Sequence, residues 1–343
     1  MAHLTNDTLT RRPSVLTCGF VALDTLVGDG VLGYTVGGTA GNVAAALAFL
    51  GWQSTVAAVV GGDEAGSRVR RDLARAGVDT RYVGVKKESL TPQVIHEVLD
   101  DGHRYHFRCY DCGRRLAKSS PPREALAATI LEEWPDPDVF FFDRASRFSI
   151  ALAEAYSERE TIVVFEPATR GRPALVSRAY ASASFVKCAE DSPIDFRTLL
   201  RRRDKRTLIV TGGANGVRLR HGRRDIRRLP APPVPAVVDA AGAGDWTTAG
   251  LLYALLAADA DARSFSQTEV ERALAWGQAA AALNCAWRGA RGIARSRDAA
   301  DVARDVNAVL AGSTTAQRVT QRFSARVSEA LCRVCLGRPR LAQ

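Results

Sequence analysis

The sequence has no apolar run approaching the roughly 18 residues that a membrane span requires. Its first 20 residues also lack the basic start and apolar stretch of a secretory leader. Both absences point to a soluble, cytoplasmic protein without a membrane partner. Cysteine is scarce: Cys18, Cys109, Cys112, Cys188, Cys285, Cys332 and Cys335 are scattered through 343 residues, which excludes a disulfide scaffold. A concentrated basic surface is missing from the main body as well. Lys and Arg outnumber Asp and Glu by 47 to 37, but from Gly312 onward six arginines accompany a single acid, Glu329, so half of the surplus of ten sits in the tail. That distribution argues against a nucleic-acid surface on the body and leaves one open only for the tail.

With 46% hydrophobic and 24% charged residues, the composition is that of an ordinary globular protein with enough apolar material for one large or two ordinary domains. Residues 1–13 are polar and read as disordered. From Ser14 the run to Asp24 reads as a buried strand ending in a carboxylate, which is where ligands gather in open α/β sheets; a plain turn aspartate is the alternative. Gly37-Gly38-Thr39-Ala40-Gly41-Asn42 then opens into a small-residue helix closed by Gly51. The paired glycines let a ligand approach the backbone, and Asn42 offers a donor and an acceptor at the helix start.

Residues 53–60 read as a strand and 64–76 as a helix, establishing a βαβα alternation and hence a parallel sheet covered by helices. The pattern breaks at residues 91–99 and 104–110, two extended segments joined by Asp100-Asp101-Gly102-His103, a hairpin signal. On its second strand Arg104, His106 and Arg108 share one face and Tyr105 and Phe107 the other. One face would cover a substrate, and the basic one would suit an anionic sugar, although a merely solvated basic face is the plainer reading. Short buried strands follow at 139–142, 161–165, 183–187 and 207–211, the last running into Thr211-Gly212-Gly213-Ala214-Asn215-Gly216, a second glycine-rich turn. An Ala-rich helix is expected from Val270 to about Trp287.

Between those segments lies Asp239-Ala240-Ala241-Gly242-Ala243-Gly244-Asp245, leading directly into the apolar helix Trp246–Leu256. The free N–H groups of a helix start make an anion site. A carboxylate there, Asp245, could accept a proton from an incoming alcohol. Taken alone, the stretch reads equally well as a tight glycine turn with a capping aspartate.

Together these stretches resemble the ribokinase-like (PfkB) family of sugar and nucleoside kinases over about residues 14–311. Gly37–Asn42 is similar to the family's N-terminal glycine-pair and asparagine motif, and Asp239–Asp245 to its C-terminal signature. The resemblance implies an α/β fold, a central and mostly parallel sheet flanked by helices, with a small β lid from about residues 25–36 and 91–112. It implies an ATP-dependent kinase phosphorylating a hydroxyl of a sugar or sugar derivative, with a nucleoside as the alternative substrate. Asp245 would be the base, and the backbone N–H groups of Ala243, Gly244 and Asp245, in the turn begun by Gly242, the anion hole. Asp24, Gly37, Gly38 and Asn42 would hold the substrate, and Thr211, Gly213, Gly216 and Gln278 would border ATP. A lid hairpin also offers an edge through which two copies could pair.

The departures define the expectations to be tested. The family's Asn-x-x-Glu motif, associated with hydrated Mg2+, has no Asn at Cys188-Ala189-Glu190-Asp191-Ser192, so Glu190 or Asp191 would act through water. Ala240 replaces a usual Thr, and Trp246 is bulky for its place. A catalytically weak sugar- or nucleotide-binding member of the family is the reading these departures suggest. Two Cys-x-x-Cys pairs, Cys109/Cys112 and Cys332/Cys335, have zinc-knuckle spacing. Most of the chain separates them, so four unligated thiols is the plainer expectation; a structural Zn2+ site requires the tail to fold back on the lid. Residues 312–343 read as a basic helical extension, with Val319, Phe323, Val327 and Leu331 on one side.

Overall fold

The computed structural model describes residues 11–28, 31–99, 102–192, 195–201, 204–233, 237–257, 259–313, 332 and 334–336. The first part of the chain forms β1 (Ser14–Cys18), β2 (Ala22–Gly28), β3 (Val31–Gly37), α1 (Thr39–Phe49), β4 (Gln53–Gly61) and α2 (Glu64–Arg75). Four short strands follow: β5 (Val78–Asp79), β6 (Val83–Lys86), β7 (Gln93–Leu99) and β8 (Gly102–His106). The middle alternates as α3 (Leu126–Glu133), β9 (Val139–Phe142), α4 (Arg147–Glu158), β10 (Ile162–Phe165), α5 (Pro173–Ser182), β11 (Phe185–Ala189), α6 (Phe196–Arg201) and β12 (Thr207–Thr211). The last part comprises β13 (Val217–His221), β14 (Arg227–Leu229), α7 (Ala243–Leu256), α8 (Gln267–Asn284) and α9 (Ala299–Leu310).

The main sheet runs β14-β13-β12-β11-β10-β9-β1-β4-β5, with β6 also on β4. Every pairing from β12 across to β5 and β6 is parallel, and β13 and β14 close one edge antiparallel. Such a sheet is covered on both faces, which is why its strands are continuous apolar runs. Val15, Val139 and Phe141 pack toward α1, α7 and α8, while Leu16, Cys18, Phe140 and Phe142 pack toward α3, α4 and α5. This is the expected α/β class.

A second sheet, β3-β2-β7-β8, is assembled from the segments in which the lid is expected. Its β2–β7 pairing is parallel and its other two are antiparallel. Here one expectation is corrected: Asp24 does not end the first strand. Gly19, at φ 143, follows the end of β1, and Asp24 lies inside β2, paired with Thr35 and Val94. Apolar residues continue across the break, so hydropathy does not reveal it.

Helix α8 begins before Val270, at a capping box in which Ser266 and Glu269 satisfy each other's backbone N–H. Its small residues have a packing reason. A Cβ on Gly250 of α7 would lie 2.6 Å from the Gly277 Cα of α8, so the two helices meet backbone to backbone. Trp246 finds room as well: it is fully buried, edge-on to Phe49 of α1 with ring centroids 6.0 Å apart, and its indole N–H donates to Ala290 O at 3.0 Å. At the N-terminus, Arg11 forms ion pairs of 2.6 Å with both Asp138 and Asp261, so the stretch expected to be disordered is fixed to the body from this residue. Among the described residues no helix is long and apolar enough to cross a membrane. The helix expected over residues 319–331 lies outside the described residues.

Candidate active site

The start of α7 faces the C-terminal ends of the parallel strands, where loops rather than sheet hydrogen bonds determine what is displayed. Gly242 caps it in the left-handed region, at φ 76. A Cβ there would meet the Ala290 backbone 2.5 Å away, so only glycine fits the turn. Asp239 holds the loop from below: it accepts hydrogen bonds from Ala241 N–H at 2.9 Å and Gly289 N–H at 2.7 Å. Of the three amides expected to form the anion hole, Ala243 N–H is engaged with Ala240 O at 3.2 Å. Gly244 and Asp245 are the first-turn amides that an anion can reach without competing with that bond.

Asp245 and Asn42, 203 residues apart in sequence, are brought into contact: Asn42 Nδ2 donates to Asp245 Oδ2 at 2.7 Å. Burial pushes the Asp245 carboxyl up to about 8, and the Glu166 charge adds to the rise, while the Asn42 hydrogen bond and the Lys187 charge oppose it. The oxygen of the Asn42 amide, Oδ1, is buried with no hydrogen-bond partner among the described residues, an acceptor that a bound hydroxyl could satisfy.

A group of residues that the sequence does not connect surrounds this pair. Lys187, 3% exposed on β11, donates to Glu166 Oε1 at 2.5 Å, and Thr248 of α7 donates to Glu166 Oε2 at 2.9 Å. Lys187 Nζ lies 3.5 Å from where a Cβ on Gly244 would stand, and Glu166 Oε1 lies 3.9 Å from it. Strand ends carrying Glu166 and Lys187 were visible in the sequence, but their convergence on Gly244 is tertiary.

On the lid side, Asp24 lies against Gly37, and burial pushes its carboxyl up to about 7, with Arg291 pulling it down and Asp239 pushing it up. Gly38, at φ 86, caps α1 just beside it. The ring of Tyr105 on β8, itself partly exposed, is 4.9 Å from that of buried His96 on β7, whose Nε2 lies 3.6 Å from Asp239 Oδ1. The Tyr105 face of the hairpin therefore turns toward the acids. Its basic face does not: His106 pairs with Glu97 at 2.9 Å and Arg108 donates to Gly113 O at 2.7 Å. This corrects the basic-face substrate reading, because strand alternation specifies which residues share a face but not which face points inward. Arg291, buried, ties the lid to the body through Val36 O at 3.0 Å and the Asp72 carboxylate.

The expected nucleotide residues collect along one edge. Thr211 ends β12 and receives a hydrogen bond from Glu190 N–H at 2.9 Å. Gly213 opens a single 3-10 turn, and a Cβ on it would meet nothing within 4 Å among the described residues. Gly216 packs against the Leu229 carbonyl, and Gln278 donates to the next one, Pro230 O, at 3.4 Å. The metal-side expectation fares differently. The Glu190 carboxylate is taken up by Arg218, and Asp191 lies in an exposed turn. A cavity of about 690 Å³ is lined by Cys18, Gly19, Arg144 and Arg172; neither these nucleotide-edge residues nor Asn42 and Asp245 line it. The four cysteines of the two Cys-x-x-Cys pairs also converge, away from this cleft on the lid.

The chain belongs to the pfkB family of carbohydrate kinases, whose family model matches residues 22–111 and 195–296. It is 30% identical over 264 residues to the ATP-dependent ribose-1-phosphate kinase of Halopiger xanaduensis, covering 74% of this chain and 82% of that protein. It is 28% identical over 238 residues to the aminoimidazole riboside kinase of Salmonella typhimurium, covering 64% and 73%. Against the bifunctional protein HldE of Rhodopseudomonas palustris it is 27% identical over 243 residues and spans 48% of that relative's length. Among solved structures it is similar to Arabidopsis thaliana ribokinase complexed with ribose and ATP, with a TM-score of 0.65 and 17% identity over 86% of this chain and 99% of that one. It is likewise similar to Burkholderia thailandensis nucleoside kinase in complex with inosine, with a TM-score of 0.63, 21% identity and coverage of 86% and 98%. These two likenesses show the fold.

Proposed function

We propose that this protein is an ATP-dependent kinase that phosphorylates a hydroxyl of a sugar or sugar derivative. The observation that carries the reading is the Asn42–Asp245 contact at the start of α7, with Lys187 and Glu166 beside Gly244. Asp245 takes the proton of the acceptor hydroxyl at a carboxylate oxygen. Its raised proton affinity suits that task, because a base works best when its pKa lies near the working pH. The amides of Gly244 and Asp245 face the charge that develops on the transferring group, and the Lys187 ammonium adds a fixed positive charge at the same place. Phosphoryl transfer depends mainly on such positioning and electrostatics. Asp24 and the unpaired Asn42 Oδ1 receive the substrate's other hydroxyls, and Tyr105 and His96 cover them from the lid.

The open space over Gly213, with Gly216 and Gln278 beside it, fits a nucleotide. Mg2+ accompanies ATP in this reading, and when bound it draws charge off the phosphates. Mg2+ is generally held by one or two carboxylates together with substrate phosphates and water; because Lys187 and Thr248 engage both Glu166 oxygens and Arg218 engages Glu190, these acids would hold it through water. A nucleoside is the second reading of the substrate, favoured by the His96–Tyr105 ring pair, which offers a base something to stack on. A panel of pentoses, hexoses, their phosphates and nucleosides, supplied with ATP and Mg2+ and followed by ADP release, tests both. Turnover on one class identifies the acceptor. Binding of panel members without turnover on any of them refutes the kinase reading and leaves a catalytically weak binding protein.

A further inference from the structure

We propose that Cys109, Cys112, Cys332 and Cys335 form a structural zinc site that fastens a C-terminal segment onto the lid. All four Sγ atoms lie within 4.8 Å of one another, with Cys109 and Cys332 at 3.8 Å and Cys112 and Cys335 at 3.4 Å. Four sulfurs around one tetrahedral Zn2+, each about 2.3 Å from the ion, stand about 3.8 Å apart. The observed spacings match that tetrahedron and are well beyond a disulfide bond of about 2.0 Å.

The surroundings are those of a built site. Each Cys-x-x-Cys is followed by a left-handed residue, Gly113 at φ 68 and Leu336 at φ 49, so both pairs turn their two sulfurs the same way. Leu336 adopts that conformation although it has a Cβ, which is uncommon. Cys109 N–H donates to Arg114 O at 2.8 Å, closing the first turn, and Leu336 N–H donates to Cys332 O at 2.9 Å, closing the second. Backbone N–H groups also point at the sulfurs, Arg114 toward Cys112 and Val334 and Cys335 toward Cys332. Amide donors of this kind stabilise metal-bound thiolates. Cys109 and Cys335 are fully buried beside Ile95 and Leu116, which shields the cluster. Asp111 accepts from Cys332 Sγ at 3.0 Å; a metal-bound thiolate has no proton to donate, so on loading this exposed carboxylate turns away.

The consequence is mechanical. Thr25 of β2 donates to Val334 O at 2.8 Å, and Cys109 lies three residues beyond the end of β8, the strand that carries Tyr105. The site therefore ties the end of the chain to two strands of the lid, one of which faces the substrate acids. Structural sites of this type supply folding free energy to the segments they join.

Purified full-length protein under reducing conditions should contain one zinc per chain, and Co2+ exchanged into it should show the intense visible absorption of a tetrahedral tetrathiolate. Cys112→Ser and Cys332→Ser should each lower the zinc content several-fold, whereas Cys285→Ser, remote from the cluster, should leave it at one. Chelation should loosen the lid, read as faster amide exchange in β2 and β8 with the main sheet unchanged. Failure of the wild-type chain to take up zinc or to give the Co2+ spectrum overturns the proposal, whatever the variants do. So does the finding of two disulfides, or of iron in place of zinc, in the reduced protein.

Discussion

Replacing Asp245 by Asn should stabilise the protein, by an amount that grows with pH. The carboxyl is pushed up to about 8 in the folded chain, chiefly by burial, against about 3.9 for an unfolded aspartate. Between those values the folded state keeps a proton that the unfolded state has released. Stability therefore falls as pH rises, by about 1.4 kcal/mol per pH unit. Asp245→Asn removes the titration but keeps a carbonyl oxygen to accept the Asn42 hydrogen bond, 2.7 Å long in the wild type. The variant's advantage should be small near pH 5 and reach on the order of 3–5 kcal/mol at pH 8, then level off. For 343 residues, with an unfolding entropy of about 2.1 cal/mol/K per residue, this is a gap in Tm of roughly 4–7 °C. Asp24, also raised, to about 7, titrates in both proteins and cancels in the difference, whereas Asp143, raised to about 6, repels Asp245 and titrates at lower pH in the variant. Paired melts from pH 5 to 8.5 give the comparison. A pH-independent difference, or a variant less stable than wild type at pH 8, would refute the reasoning.

Lys187→Met should cost about 3–5 kcal/mol, because it leaves the Glu166 carboxylate buried without its cation, and urea unfolding measures the loss. The same change removes a charge that lowers the Asp245 pKa, so the alkaline rise of kcat/KM should move to higher pH. Gly242→Ala forces a side chain into a left-handed turn, at roughly 1–2 kcal/mol, and into the Ala290 backbone. Its kcat should fall by much more than its Tm suggests, since the amides of Gly244 and Asp245 are displaced.

Much of this architecture was legible from residue order. Both glycine motifs, the alternating strands and helices and the hairpin at residues 91–110 can be read directly, because local chain chemistry creates them. Asp24 was misplaced because the Gly19 break interrupts hydrogen bonding without interrupting the apolar run. The Lys187–Glu166–Thr248 group was invisible for a different reason. Its members come from three elements, and only the parallel packing of β10 and β11 under α7 brings them together. The inward face of the hairpin and the meeting of the two cysteine pairs likewise depend on where the lid sheet sits. Trp246, a misfit by motif, is explained by the space between α1 and the Ala290 turn.

The central claim is that Asp245 is the base for phosphoryl transfer to an acceptor hydroxyl. Its most direct test is single-turnover transfer from ATP to the best acceptor of the panel by wild type and Asp245→Asn, with acceptor binding measured on both by calorimetry. The account predicts a rate lower by about 10²–10⁴-fold in the variant, the usual contribution of a general base, with binding retained. A variant that binds the acceptor and transfers phosphate at the wild-type rate would contradict it.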